Sequence, residues 1–265
     1  MRTQISSILT VSHREAGQGI PLVFLHAFPL SSAMWQAQLD EFSRNFRVLA
    51  PDVRGIGESS RFEAEMSIEL LARDVALWLE EIGIYEPIAL CGLSMGGYVA
   101  LEFARIFPQK LAALILADTR ADADSPEAKT ARDEMIEYAK AHDGRAVAQK
   151  MLPKLLGETT LRQNPEIAHK VQEIAAPNRG ENLAQLIAAL RDRRDSTDIL
   201  ASISVPTLVI GGAQDVVSPP DVMAQMAAQI PGARDVVIED AGHLSNLEQP
   251  DEFNAALREF LSSVA

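Results

Sequence analysis

The chain contains 265 residues, of which 47% are hydrophobic and 23% are charged, so a largely disordered chain is excluded. Its 24 Lys and Arg residues against 37 Asp and Glu residues give a net charge of −13. This charge argues against a nucleic-acid partner, because phosphate contacts require clustered basic side chains. The single cysteine, Cys91, excludes an intramolecular disulfide and a cysteine-based metal site.

The first 117 residues alternate between short apolar runs and helical patterns. Strands are predicted at 21–26, 47–50, 87–93 and 111–117. The first predicted helix carries an apolar stripe of Trp35, Leu39, Phe42 and Phe46. A second helix begins after its predicted N-cap Ser67, and a third is stopped by Pro108. We place His13 in an N-terminal loop.

The pattern changes after Asp118, and no strand is predicted between residues 122 and 202. Helical patterns occupy 128–141 and 181–192 within this block. Three prolines are predicted to cut the block into short helices, namely Pro153, Pro165 and Pro177. Alternation then resumes with strands at 206–210 and 234–239 and helices at 221–229 and 249–261.

This order of elements predicts an α/β fold, with a mostly parallel β-sheet flanked by helices. Residues 1–121 and 203–265 would form the core domain, and residues 122–202 a helical cap, or lid, inserted between two strands. Open α/β sheets bind ligands at the carboxyl edge of their strands, so we expect the cap over that edge. With no apolar signal segment and no apolar run of about 18–20 residues, we expect a cytoplasmic protein without a membrane partner.

A Gly-x-Ser-x-Gly motif, Gly92–Gly96, lies between a predicted strand and a predicted helix. In this context a sharp turn exposes the serine hydroxyl above the sheet, and small neighbours allow the strand and the helix to approach closely. The helix N-terminus favours the negative charge that develops during attack on a carbonyl. Ser94 is therefore the predicted nucleophile.

A serine hydroxyl is a weak nucleophile and requires a base that is itself oriented by a carboxylate. His243 follows the last predicted strand, so its loop leaves the same sheet edge as Ser94. Asp215 follows the strand that precedes the His243 strand. The chain order Ser94, Asp215, His243 is the order of nucleophile, carboxylate and base that accompanies a serine on a strand–turn–helix elbow. Asp118 and Asp240 remain alternatives for the carboxylate. If His243 is the base, activity should rise with pH through about 6–7.

The oxyanion of a tetrahedral intermediate requires positioned donors. We predict the backbone N–H groups of Met95, directly after the nucleophile, and of Phe28, in the loop after the first strand. His26 is interpreted as a brace for that loop and not as a second base.

Five stretches resemble the α/β-hydrolase fold superfamily, and the resemblance extends over the whole chain. They are His-Ala-Phe-Pro at 26–29, Asp-Val-Arg-Gly-Ile-Gly-Glu-Ser at 52–59, the Ser94 turn, the Asp215 loop and the His243 loop. The stretches 92–97 and 117–121 are similar to those of small bacterial carboxylesterases and 3-oxoadipate enol-lactonases. Ala27 and Ile56 depart from the usual Gly and His of the family pattern.

The resemblance implies hydrolysis of a small-molecule ester or lactone without a metal or another cofactor. Ser94, in place of a carboxylate, argues against haloalkane dehalogenases and epoxide hydrolases. A carboxylesterase is the first hypothesis. The alternatives are an enol-lactonase, whose dicarboxylate-type substrate needs a basic group such as Arg120, and a slow ligand sensor on the same scaffold. Met135 and Tyr138, in the predicted cap, are candidate pocket residues.

Overall fold

Eight strands of the described chain form one sheet, which is parallel except at one end. The computed structural model describes residues 1–6, 9–60 and 65–263. The strands within them are β1 (Arg2–Gln4), β2 (Thr10–Ala16), β3 (Ile20–Leu25), β4 (Phe46–Pro51), β5 (Ile88–Leu93), β6 (Leu111–Ala117), β7 (Thr207–Gly212) and β8 (Arg234–Ile238). Their order is β1-β2-β4-β3-β5-β6-β7-β8. β2 is antiparallel to β1 and β4, whereas neighbours from β4 to β8 run parallel.

Helices alternate with the parallel strands, and six of the described helices lie together between β6 and β7. The core helices are α1 (Gln36–Phe42), α2 (Ile68–Glu81), α3 (Met95–Ile106), α10 (Pro220–Gln229), α11 (Ser245–Glu248) and α12 (Pro250–Ser262). The helical insertion consists of α4 (Pro126–Ala141), α5 (Gly144–Leu155), α6 (Glu158–Gln163), α7 (Pro165–Ala175), α8 (Gly180–Arg191) and α9 (Thr197–Leu200). The mostly parallel sheet flanked by helices confirms the predicted fold class.

The central strands β3, β5, β6 and β7 are almost entirely apolar because both faces of the sheet are covered there, as parallel sheets require. Side chains alternate between the faces, so Val23 and Leu25 contribute to one buried cluster and Leu22 and Phe24 to the other. Helices α2, α3 and α10 supply the first cluster, and α1 and α12 the second. Ser67 is the N-cap of α2 as predicted, since its side chain accepts a hydrogen bond from the Leu70 amide at 3.1 Å. Such a cap stabilises a helix by about 1 kcal/mol.

Three details of the sequence prediction were wrong. His13 lies in β2, buried against Trp78 with a ring separation of 5.3 Å, and not in a loop. Phe46 begins β4, because α1 ends at Phe42. Pro153 does not end a helix but lies inside α5, where burial of the neighbouring Leu152 and Leu155 offsets the lost hydrogen bond.

The parallel strands direct their carboxyl ends to one edge of the sheet. The loops that follow β3, β5, β6, β7 and β8 therefore lie along this edge, and they carry Phe28, Ser94, Asp118, Asp215 and His243. The role of residues 122–202 as a cap over this edge stays a prediction. None of the helices in the described ranges combines the length and the apolar composition of a membrane span.

Candidate active site

Ser94 occupies a strained turn between β5 and α3. Its φ of 54° and ψ of −113° are rarely adopted by a residue with a side chain. The strand and the helix meet so closely that a Cβ on Gly92 would clash with the Gly96 carbonyl oxygen, and one on Gly96 would lie 2.6 Å from the Leu25 carbonyl carbon. The two glycines of the motif are therefore required by backbone contact. The Ser94 amide donates to the Ala117 oxygen at 2.9 Å, which ties the turn to β6.

A continuous chain of hydrogen bonds joins Ser94, His243 and Asp215. His243 Nε2 lies 2.7 Å from Ser94 Oγ, and His243 Nδ1 lies 2.7 Å from Asp215 Oδ2. Because Asp215 accepts, the proton resides on Nδ1, and Nε2 accepts from the serine hydroxyl. The Asp215 and His243 side chains are 0% and 2% exposed, whereas Ser94 is half-buried. Only the serine end of the chain is therefore open to a ligand.

Asp215 is held in place by its own loop. Its Oδ1 accepts from the amides of Val217 at 2.7 Å and Ser218 at 3.0 Å, which leaves Oδ2 for His243. These two amide donors therefore orient the carboxylate towards His243.

The two alternative carboxylates have other partners. Asp118 Oδ1 accepts from the Gly212 amide at 2.9 Å, and its Oδ2 lies 2.5 Å from Ser245 Oγ. Burial, followed by the negative charge of Asp215, raises the pKa of Asp118 well above its ordinary value. Asp240 Oδ1 accepts from Thr159 Oγ1 at 3.1 Å at the surface. The structure thus places Asp215, of the three candidates, beside His243.

The predicted oxyanion donors lie in the loop after β3 and at the start of α3. Among the hydrogen bonds between described residues, the amides of Phe28 and Met95 have no protein acceptor. The adjacent Ala27 amide donates instead to Met34 Sδ at 3.2 Å, and the Ala27 methyl group is fully buried. The donor role of Phe28 and Met95 stays a prediction.

His26 connects the loop after β3 to the one after β4. Its Nε2 accepts from the Val53 amide at 3.1 Å, so Nδ1 carries the proton and donates to the Ala27 oxygen at 3.1 Å. Burial lowers the pKa of His26, which favours this neutral form. Both ring nitrogens are occupied by backbone groups, as a bracing role requires.

Each of the predicted pocket residues contacts other protein side chains within or beside the insertion. The Arg120 guanidinium contacts Asp122 through two hydrogen bonds of 2.8 and 2.5 Å. Tyr138 is half-buried and stacks on His142 at 3.9 Å, with Lys150 Nζ 4.1 Å from the same ring. Met135 is half-buried and packs against the core. Their contact with a substrate stays a prediction.

Two buried residues that the sequence interpretation missed connect the insertion to these loops. Glu248 accepts three backbone N–H groups, from Gly157 in the insertion and from Gly242 and Leu244 beside His243. Asn178 donates to the Pro29 oxygen at 2.8 Å, next to Phe28. Glu248 lies in the mostly polar stretch Ser-Asn-Leu-Glu-Gln at 245–249, which carries no local signal of its burial.

Chemically, the arrangement suits proton transfer from a hydroxyl to an imidazole. In the part of the chain that the structure describes, no group of three or more His, Cys, Asp or Glu side chains is placed to hold a metal ion.

Comparison with known proteins identifies the family. The sequence profile of the alpha/beta hydrolase fold matches residues 20–250. The chain is 31% identical to 3-oxoadipate enol-lactonase 2 of Acinetobacter baylyi, over 89% of this chain and 86% of that protein. Among solved structures, a malate-bound thermophilic esterase from Thermogutta terrifontis has a TM-score of 0.94 and 40% identity, covering 100% of this chain and 98% of its own. The enol-lactonase from Burkholderia xenovorans LB400 has a TM-score of 0.89 and 28% identity, covering 98% and 99%. This chain therefore belongs to the alpha/beta hydrolase fold family.

Proposed function

We propose that the protein is a serine esterase that cleaves small carboxylic esters through an acyl-enzyme. The observation that carries the proposal is the hydrogen-bonded chain from the half-buried Ser94 hydroxyl through His243 to the buried Asp215. Such a chain supplies the base that a serine nucleophile needs and the carboxylate that orients that base.

In the acylation step, Ser94 Oγ attacks the ester carbonyl while its proton moves to His243 Nε2. The amides of Phe28 and Met95 then stabilise the tetrahedral oxyanion. The imidazolium returns the proton to the departing alkoxide, so an alcohol leaves and the acyl group stays on Ser94. In the second half, His243 Nε2 removes a proton from water as the water oxygen attacks the acyl carbonyl, and the imidazolium then gives that proton to Ser94 Oγ as the acid leaves.

An ester is favoured over a lactone by the sequence identities to known proteins. The esterase from Thermogutta terrifontis is 40% identical to this chain, whereas the two enol-lactonases described above are 28% and 31% identical. In this proposal residues 122–202 cover the site as a cap, and Met135 and Tyr138 face the acyl group. We expect no metal or cofactor requirement, so dialysis against a chelator should leave turnover unchanged.

An enol-lactonase is the second candidate, supported by the relatives with that activity in Acinetobacter baylyi and Burkholderia xenovorans. A substrate with a second carboxylate would need a basic group, and Arg120 is the candidate. Its guanidinium is already paired with Asp122, and this compensated charge makes it a weak receptor for another carboxylate.

The deciding experiment is hydrolysis of p-nitrophenyl esters of increasing acyl length, with wild type beside Ser94→Ala and with 3-oxoadipate enol-lactone as a parallel substrate. We expect rapid ester turnover that falls on the order of 10³-fold or more in the variant. Near-normal turnover in Ser94→Ala would overturn the nucleophile. Turnover of the lactone without the esters would favour the second candidate.

A further inference from the structure

Glu248 contacts the backbone on both sides of His243. It ends the short helix α11 and is 5% exposed. Its Oε1 accepts from the Gly242 amide at 2.9 Å and from the Leu244 amide at 3.1 Å. These two peptide groups flank the histidine, so the carboxylate fixes the backbone from which the imidazole projects.

The second carboxylate oxygen reaches the helical insertion. Glu248 Oε2 accepts from the Gly157 amide at 2.7 Å, in the link between α5 and α6. The two backbones approach so closely that a Cβ on Gly157 would lie 2.8 Å from the Gly242 nitrogen. Two residues on, the Thr159 amide donates to Gln214 Oε1 at 3.0 Å, and Gln214 Nε2 donates to Thr159 Oγ1 at 2.7 Å. The link thus contacts the loop of His243, and the first turn of α6 contacts the loop of Asp215.

A buried carboxylate needs compensation, and the donors around Glu248 are all backbone amides. Among the described residues, no Lys, Arg or His forms an ion pair with it. Three N–H groups from two separate segments therefore take the place of a cation. Removal of the carboxylate would leave those amides unsatisfied and free both segments to move.

We propose that Glu248 is a positioning residue, which holds the His243 imidazole between Ser94 and Asp215 and couples that geometry to the helical insertion. The inference rests on the proposed function, because positioning matters for turnover only if His243 is the base. A displacement of about 1 Å in such a group can lower a rate on the order of 10²-fold.

The test compares Glu248→Gln and Glu248→Ala with wild type. The Gln side chain keeps the size of Glu, but its NH₂ group cannot accept, so at least one backbone amide loses its partner whichever way it turns. We expect kcat for a p-nitrophenyl ester to fall about tenfold in Glu248→Gln and on the order of 10²-fold in Glu248→Ala, with KM within about threefold.

The matched control is Glu102→Gln. Glu102 is another buried glutamate, in α3, and it contacts Arg105 and Arg194 instead of the catalytic loops. We expect this variant to retain wild-type kcat even if its melting temperature falls. An equal loss of kcat in the control would overturn the proposal, because the effect would then follow from disturbing any buried glutamate.

A second readout does not depend on activity. The His243 Nδ1–H···Asp215 hydrogen bond of 2.7 Å should give a downfield proton resonance, assigned by its absence in His243→Gln. We expect this resonance to shift or broaden in both Glu248 variants and to stay unchanged in Glu102→Gln. A folded Glu248→Gln with wild-type kcat and an unchanged resonance would overturn the proposal. If wild type shows no ester turnover, the proposed function fails, and the resonance alone decides whether Glu248 positions His243.

Discussion

The carboxylate of Asp118 lies 2.5 Å from the hydroxyl oxygen of Ser245, two residues beyond His243 in the chain. Its other oxygen accepts from the Gly212 amide, at the end of β7. Asp118, directly after β6, therefore connects this strand to the loop of Asp215 and to the loop of His243. Burial and the charge of Asp215 raise the pKa of Asp118, so its neutral form is favoured. Asp215 is the carboxylate that contacts His243, at 2.7 Å.

Substitution of these two aspartates should have very different effects on turnover. In Asp118→Asn the amide oxygen can still accept from Gly212 and the NH₂ group can donate to Ser245, so we expect kcat within about threefold of wild type. In Asp215→Asn the NH₂ group would favour the wrong tautomer of His243, and we expect a loss on the order of 10³–10⁴-fold. Steady-state hydrolysis of one p-nitrophenyl ester measures both. Equal losses in the two variants would contradict the assignment of Asp215.

The raised pKa of Asp118 should also appear in the stability of the protein. The folded state retains a proton that the unfolded chain, with an ordinary pKa near ~3.9, releases. Stability therefore decreases as the pH rises from about 4 towards the folded pKa, because the folded state binds more protons in this range. Asp118→Asn lacks this titration. Its free energy of unfolding, relative to that of wild type, should therefore increase as the pH rises. Urea unfolding of both proteins between pH 4 and 8 measures the difference, and a difference independent of pH would contradict the shift.

The sequence was sufficient for the parts of the site that follow local rules. The Gly92–Gly96 motif and the strand-end positions of Asp215 and His243 depend on the parallel sheet, which apolar runs predict well. β2 was missed because its sequence, TVSHREA, is polar on the face that the sheet leaves partly exposed. The contacts of Glu248 were not predictable, since Glu248 and Gly157 are 91 residues apart and meet only through the packing of the insertion.

Asn178 provides a prediction about the loop of Phe28. It lies between α7 and α8, and its side chain donates to the Pro29 oxygen at 2.8 Å and accepts from the Gly57 amide at 3.0 Å. Asn178→Ala leaves both backbone groups without a partner, which should lower the free energy of unfolding by about 1–3 kcal/mol. Because the loop of Phe28 also loses its support, we expect kcat to fall about tenfold.

Asn182→Ala is the matched control for this variant. Asn182 also lies in the insertion and donates to the core, but its acceptor is the Gly55 oxygen at 2.9 Å, in the loop after β4 and not in the loop of Phe28. We expect a loss of stability without a loss of kcat. Urea unfolding and ester hydrolysis on both variants separate the two effects. If both variants lose kcat equally, the role of Asn178 is general attachment of the insertion and not support of the Phe28 loop.

Gly96 determines how closely α3 approaches β3, and its substitution should be among the most damaging in the fold. A Cβ at this position would clash with the Leu25 carbonyl group, which belongs to a central strand and cannot withdraw. Gly232 offers a control, because its φ of +71° disfavours a side chain although nothing lies within 4 Å of an added Cβ. Gly232→Ala should therefore cost about 1–2 kcal/mol from backbone strain alone, whereas Gly96→Ala should cost about 3 kcal/mol or more.

Gly96→Ala should also lower the rate of ester hydrolysis. Movement of α3 away from β3 would separate the Met95 amide from that of Phe28 and displace Ser94 from His243. We therefore expect Gly96→Ala to lose ester hydrolysis by on the order of 10²-fold at a temperature where it is still folded. Gly232→Ala should retain wild-type kcat at that temperature. A Gly96→Ala variant that matches Gly232→Ala in both urea midpoint and kcat would show that the motif glycine is not required for close packing.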